Sequence, residues 1–275
     1  MKVILKEALK EDIGKKDITT QALISKRNIR AALVAKQPCV VCGLNLAGMV
    51  FKLMDKRIIF KPRVSDGQKV NDGEVLAFIQ GQAQEILSAE RVALNFLSLL
   101  CGVATRTRQF VEAAKPYKVR IMDTRKTIPG LRILQKYAVR IGGGYNHRFK
   151  LDELILVKDN HLKIIGGTQR LKEKWKNLKR KGKPIEIEVN HLDEFQDVLD
   201  LKPDIIMLDN MTVSDIKKAV LLRNKQYSRR HPLLEVSGNI SLRNIKKIAS
   251  TGVDTISIGS LTHSFDSVDI SLEIL

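Results

Sequence analysis

Arg125, Lys126, His147, Arg148, Lys158 and His161 all fall between Asp123 and His161. Arginine presents a fixed planar fork that suits carboxylate or phosphate. A cluster of such bases implies a polyanionic ligand. Gly142, Gly143 and Gly144 precede Tyr145 to Arg148 and permit close backbone approach, although they also suit a plain flexible turn. Two acids follow, Glu188 and Asp209. Carboxylates among bases suit Mg²⁺, which prefers oxygen ligands and substrate phosphates; they equally suit pairing with Lys126 or Lys158. Ser237-Gly238-Asn239 and Gly259-Ser260 bring small residues and free backbone N–H groups, as a phosphate-binding turn does.

Most of these residues close a short apolar run. Val119 to Met122 leads into Asp123-Thr124-Arg125-Lys126, and Leu154 to Val157 into Lys158. Ile185 to Ile187 ends at Glu188, and Ile205 to Leu208 at Asp209. Leu233 to Val236 ends at Ser237, and Thr255 to Ile258 at Gly259. The rhythm of strand, polar end and helix predicts parallel strands with helical crossovers. Six ends pointing one way converge on the mouth of an α/β barrel, where such folds hold their sites. A doubly wound open sheet is the alternative.

The first hundred residues have another texture. Ile29 to Val41 is β-like, Gly43 to Met54 helical, and Ile58 to Gly81 a set of short strands with turns at Ser65-Asp66-Gly67 and Asn71-Asp72-Gly73. Val64 to Leu76 looks like a lipoyl-type β element without the hairpin lysine, so it reads as structure alone. Gln84 to Phe110 is one helical pattern that Gly102 is expected to break or kink. The expected class is α/β, with an N-terminal α/β sandwich domain over 1–103 and an α/β barrel over 104–264. Residues 265–275 are expected to pack back on the first domain.

Bulk properties limit the function classes. Of the 275 residues, 44% are hydrophobic, which excludes wholesale disorder. No run of apolar residues approaches the ~20 of a membrane span, and Met1 to Lys10 lacks a secretory pattern. A cytoplasmic protein with no membrane association is expected. Cys39, Cys42 and Cys101 are too few and too odd in number for a disulfide framework. The CxxC pair sits in an apolar stretch and reads as buried structure. The net charge of +18 fits anionic small substrates, nucleic acid or plain surface chemistry. Its densest patch, Lys163 to Lys183, reads as an amphipathic helix with a solvated basic face rather than an RNA-binding surface. The unaided reading is a barrel enzyme for a carboxylate-bearing and a phosphorylated substrate. It leaves phosphoribosyl transfer, isomerisation and aldol chemistry open.

The segments Asp123-Thr-Arg-Lys-Thr-Ile-Pro-Gly-Leu-Arg132, Gly142-Gly-Gly-Tyr-Asn-His-Arg148 and Leu156-Val-Lys-Asp-Asn-His161 resemble the signature of the quinolinate phosphoribosyltransferase family. Glu90-Arg-Val-Ala-Leu-Asn95, Leu208-Asp-Asn-Met211 and Glu235-Val-Ser-Gly238 match it in order. The resemblance implies an N-terminal α/β sandwich followed by an incomplete α/β barrel. It implies an Mg²⁺-dependent reaction of quinolinate with phosphoribosyl pyrophosphate, giving nicotinate mononucleotide, pyrophosphate and CO₂. It implies a homodimer or dimer-based hexamer with shared sites. Arg125, His147, Arg148 and Lys158 would then bind quinolinate, with Arg91 reaching it from a neighbouring subunit, and Thr127 would be a further substrate-binding residue. Lys126 would lie by the reacting centre, and Glu188 and Asp209 would face the ribose and Mg²⁺. Ser237, Gly238, Asn239, Gly259 and Ser260 would hold the 5′-phosphate. The chain departs from the family pattern at Asn239, where a second glycine is usual, and at Lys16 and Cys101. The rivals are a same-fold enzyme for another aromatic carboxylate and a basic nucleic-acid-binding protein.

Overall fold

The computed structural model describes residues 2–227 and 231–275. The chain forms two compact units. One comprises Met1–Arg108, Ile128–Gly143 and Ser264–Leu275, the other Gln109–Thr127 and Gly144–His263. The division is thus discontinuous, whereas the sequence texture suggests a single boundary near 103 and a returning tail.

The first unit is built on β1 (Asn28–Ala35), β2 (Cys39–Val40), β3 (Ile59–Pro62), β4 (Lys69–Val70) and β5 (Val75–Gln82). β1 and β5 pair antiparallel, and β3 flanks β5. Gly67 and Gly73 adopt left-handed φ of 93° and 79° at the two Asp-Gly turns, a conformation that glycine enters without steric cost. β2 and β4 form a separate two-stranded ladder.

The helix Ala83–Ala114 follows, 32 residues long and unbroken. The expected break at Gly102 is absent. A Cβ there would lie 2.4 Å from the Asp266 carbonyl oxygen, so the glycine serves close packing. The helix is long and apolar enough to cross a membrane, but most of its apolar stretch is buried inside the protein. That burial marks a core helix. The helix Arg132–Ile141 buries Leu134, Ala138 and Val139 and belongs to the same unit.

The second unit carries β6 (Arg120–Met122), β7 (Ile155–Val157), β8 (Ile185–Val189), β9 (Ile205–Asp209), β10 (Leu233–Ser237) and β11 (Thr255–Ser257). They form one parallel sheet in the order β6-β11-β10-β9-β8-β7. That is the cyclic order of a barrel, opened between β6 and β7. The segment ahead of β7 lies against β6 there: Met122 forms an isolated parallel bridge with Tyr145, whose N–H donates to the Ile121 carbonyl at 2.8 Å. The polar strand ends therefore gather at one rim. All five residues of β8 are buried. Strand alternation puts Glu186 and Glu188 on one face and Ile185, Ile187 and Val189 on the other. The basic patch splits at Gly166 and Gly167. The helix Thr168–Lys179 beyond them buries Leu171 and Trp175, while Lys172 pairs with Asp197 at 3.0 Å and Arg170 with Glu173 at 2.9 Å.

The last strand, β12 (Ile270–Ile274), returns to the first unit. It pairs antiparallel with β1, Leu272 opposite Leu33, and completes the order β12-β1-β5-β3.

Candidate active site

A cavity of about 700 Å³ opens at the carboxyl ends of β6 to β11. Lys126, Glu188, Asp209, Arg125, His147, Arg148 and Lys158 line it together with Ser237, Gly238, Asn239, Gly259 and Ser260. Two expected residues do not. Thr127 turns back on its own segment, its N–H donating to the Arg125 carbonyl at 2.9 Å. Arg91 is exposed on the helix Ala83–Ala114. His161, part of the basic cluster in sequence, is also elsewhere: its Nδ1 accepts the Lys158 N–H at 2.9 Å and caps the helix Asp159–Ile165.

The segment after β6 is held by its own polar groups. Lys126 N–H donates to Thr124 Oγ1 at 3.0 Å, and its carbonyl accepts from Thr262 Oγ1 at 2.7 Å. A Cβ on Gly259 would sit 3.0 Å from Lys126 Cδ, so that glycine clears the lysine's path. Asp123 is fully buried. Its carboxylate accepts from Asn146 Nδ2 at 2.6 Å and from the His147 N–H at 2.9 Å. The first acid of the motif is therefore an anchor for the segment that carries the next two bases.

Arg148 is half-buried. Nη1 donates to the Leu154 carbonyl at 2.7 Å. Burial pushes its pKa down, the Arg125 charge pushes the same way, and Glu186 opposes them. Two guanidinium groups thus face one poorly hydrated space, a strain that an anion between them would relieve.

Across the cavity Lys158 Nζ lies 3.3 Å from Glu188 Oε2. Burial raises the pKa of Glu188 more strongly than Lys158 lowers it, and the Asp209 carboxylate adds to the rise. Asp209 accepts from Asn210 Nδ2 at 2.7 Å, and Asn210 Oδ1 accepts from Asn239 Nδ2 at 2.9 Å. Gly238 holds φ at 89°, and a Cβ there would meet Asn210 Oδ1 at 2.2 Å. Asn239 follows at φ 51°. Asparagine is one of the few side chains at ease there, so the usual glycine can be replaced without losing the turn.

Sequence reasoning missed Met207, Glu235, Ser257 and His263, which also line the cavity. Strand alternation could have found the first three. Met207 lies two before Asp209, and Glu235 two before Ser237, while Ser257 is two before Gly259. His263 carries no such signal.

Glu235 is 1% exposed. Burial and the facing Glu186 carboxylate push it up to about 7 against the opposing pull of His147. The folded chain therefore holds a proton that the unfolded chain has lost. Stability falls as pH rises from the ordinary carboxylate range to about 7, and the cost persists above it. Glu235→Gln is expected to be the more stable protein at pH 8, by up to about 3 kcal/mol, with the gap closing below about pH 4. Thermal unfolding across that range checks it; a pH-independent gap would contradict the assignment.

Comparisons with known proteins show the family. The family model described as quinolinate phosphoribosyl transferase, C-terminal domain, matches residues 103–273, and the N-terminal domain model matches 17–101. A probable nicotinate-nucleotide pyrophosphorylase (carboxylating) of Methanocaldococcus jannaschii is 42% identical over 278 residues, covering 99% of this chain and 96% of its own. A quinolinate phosphoribosyltransferase (decarboxylating) of Nicotiana tabacum is 38% identical over 294 residues, covering 100% and 82%. The solved structure of a nicotinate-nucleotide pyrophosphorylase from Francisella tularensis superposes with a TM-score of 0.92 at 41% identity, covering 99% and 95%. The chain belongs to the quinolinate phosphoribosyl transferase family.

Proposed function

We propose that this chain transfers the phosphoribosyl group of phosphoribosyl pyrophosphate to quinolinate with loss of CO₂, the entry to NAD. The observation that carries the reading is the pair Arg125 and Arg148 in one cavity, with burial opposing the charge of Arg148. A planar dicarboxylate supplies two anionic forks where two cationic forks stand. Lys158 and His147 line the same cavity. The turns Ser237-Gly238-Asn239 and Gly259-Ser260 receive the donor's 5′-phosphate.

The chemistry follows from that placement. The pyridine nitrogen attacks the anomeric carbon as the bond to pyrophosphate breaks, and positive charge develops on the sugar. Glu188 and Asp209 stabilise that charge, and Lys126 neutralises oxygens near the reacting centre. The 2-carboxylate then leaves as CO₂. Its electron pair remains on the carbon beside the cationic nitrogen until a solvent proton quenches it. No protein nucleophile is needed; the chain mainly orients the reactants. Glu188 and Asp209 are the residues that would hold Mg²⁺ with the donor. The fit rests on Glu188, whose ionised form burial and Asp209 disfavour, so a cation between the two would relieve them. When bound, Mg²⁺ supplies charge neutralisation for the departing pyrophosphate.

The purified chain with Mg²⁺, donor and quinolinate is expected to release CO₂ and pyrophosphate in equal amounts. No consumption of quinolinate would overturn the reading. The three cysteines are free and buried, which suits a reducing cytoplasm.

Arg91, exposed on its own chain, fits a site shared in a homodimer or a dimer-based hexamer, where the partner subunit's Arg91 completes the dicarboxylate pocket. Arg91→Ala and Lys126→Ala chains, each inactive alone, should regain up to about a quarter of parent activity when mixed as exchanging dimers. No recovery despite exchange would rule out sharing.

A further inference from the structure

Three buried groups face one another at the cavity wall: His147 and Glu235, which line it, and Glu186 behind them. One ligand-type atom from each lies within 4.8 Å of the other two. They are 8%, 0% and 1% exposed. None of the chemistry above uses Glu186, and burying a carboxylate at this depth is costly unless it has a task or a partner. The composition suggests a metal site, but the hydrogen bonds argue against one. His147 Nδ1 accepts the Arg148 N–H at 2.8 Å. A backbone N–H can only donate, so the imidazole proton must sit on Nε2. Nε2 lies 3.0 Å from Glu186 Oε2 and 3.7 Å from Glu235 Oε1. The Nε2–H therefore donates to Glu186. A cation on Nε2 would have to displace that proton while Nδ1 stayed occupied.

We propose that Glu186 is a positioning residue for dicarboxylate binding, acting through His147 on Arg148. The Glu186 carboxylate selects the Nε2–H form of His147 and fixes the ring. The ring's free Nδ1 then fixes the Arg148 N–H. At its other end the Arg148 head donates to the Leu154 carbonyl. Arg148 is therefore held at its backbone and at one guanidinium nitrogen, with the remaining guanidinium N–H groups left for a ligand. Asp123 holds the same segment from the other side, through the His147 N–H and Asn146. His147 thus lines the cavity with Nδ1 on the Arg148 N–H and Nε2 on Glu186, and Glu186 reaches the ligand through it. Second partners of this kind orient the groups that touch a ligand and are felt in affinity.

The inference rests on the quinolinate reading for its kinetic test and is independent of it for its structural test. Glu186→Gln retains an acceptor for Nε2–H, whereas Glu186→Leu does not. Glu186→Leu is expected to raise KM for quinolinate by about tenfold or more. Its kcat and its KM for the donor should stay within about threefold, with Glu186→Gln close to parent. Nitrogen-15 correlation spectra of the imidazole rings provide the second measurement. They should show His147 with Nε2 protonated and Nδ1 bare in the parent and in Glu186→Gln, and a mixture in Glu186→Leu. A parent His147 protonated on Nδ1 would overturn the proposal, whether or not the leucine variant folds. So would a leucine variant that loses kcat and both KM values together with His147 unchanged. Stoichiometric Zn²⁺ retained by the parent and lost from both variants would replace it with a metal site. A parent inactive on quinolinate but showing the expected His147 form would sink the substrate reading alone.

Discussion

Arg148→Ala is expected to lower kcat/KM for quinolinate by about 10³. Most of the loss should appear in KM, and KM for the phosphoribosyl donor should move by no more than about threefold. The free protein holds Arg148 against burial and against the Arg125 charge. That arrangement is unfavourable until a dianion arrives. Part of the binding energy for quinolinate is then the relief of an unfavourable placement already present. Truncating one partner of a desolvated, charge-assisted pair costs roughly 2–5 kcal/mol, which spans the factor expected. Arg148→Lys should recover only about tenfold of it, because an ammonium cannot reproduce the planar fork. Arg148→Ala should change stability little, since removing one of two neighbouring cations offsets the lost hydrogen bond to the Leu154 carbonyl. Steady-state kinetics with both substrates varied, alongside thermal unfolding, decide the matter. Equal rises in both KM values, or a large fall in melting temperature, would mean that Arg148 shapes the rim instead of gripping the dicarboxylate.

The chemistry-bearing rim was legible because it obeys a local rule. In the second unit polar residues that end short apolar runs lie at strand carboxyl ends, and Lys158, Asp209 and Ser237 each follow or close a strand as that rule requires. Glu186 and Glu235 were missed for a related reason: they sit inside apolar runs, and only their spacing of two from Glu188 and Ser237 reveals a common face. The role of His161 was misread because a base near a strand end can as well cap the next helix, and the choice depends on where its ring nitrogen points. Gly102 was misread because a glycine in a helix reports either weak propensity or close approach, and only the Asp266 carbonyl distinguishes them. Assignment of Ile128–Gly143 to the first unit depends on contacts distant in sequence, which no periodicity encodes. Arg91 shows the opposite case. Its place came from the resemblance alone, and a single chain leaves it exposed.

Glu188→Gln is expected to cut kcat by about 10² to 10³, and Asp209→Asn by a similar factor. Both amides keep the shape and the hydrogen-bonding reach of the acids but lack the charge. If the carboxylates stabilise positive charge on the sugar and hold the cation with the donor, the charge is what matters. Affinity for quinolinate, bound at the arginines, should change little. The pH dependence adds a sharper criterion. Burial and Asp209 keep Glu188 protonated to higher pH than an ordinary glutamate, and Lys158 only partly offsets them. The ionised form is the active one, so kcat/KM should fall as pH drops through a value above that of an ordinary glutamate. Lys158→Met removes a nearby charge that favours ionisation, so it should move that acid limb to still higher pH. Glu188→Gln should abolish the limb. An acid limb that stays in place when Lys158 is replaced would assign it to another group, and a Glu188→Gln enzyme with near-parent kcat would remove Glu188 from the charge-stabilising role.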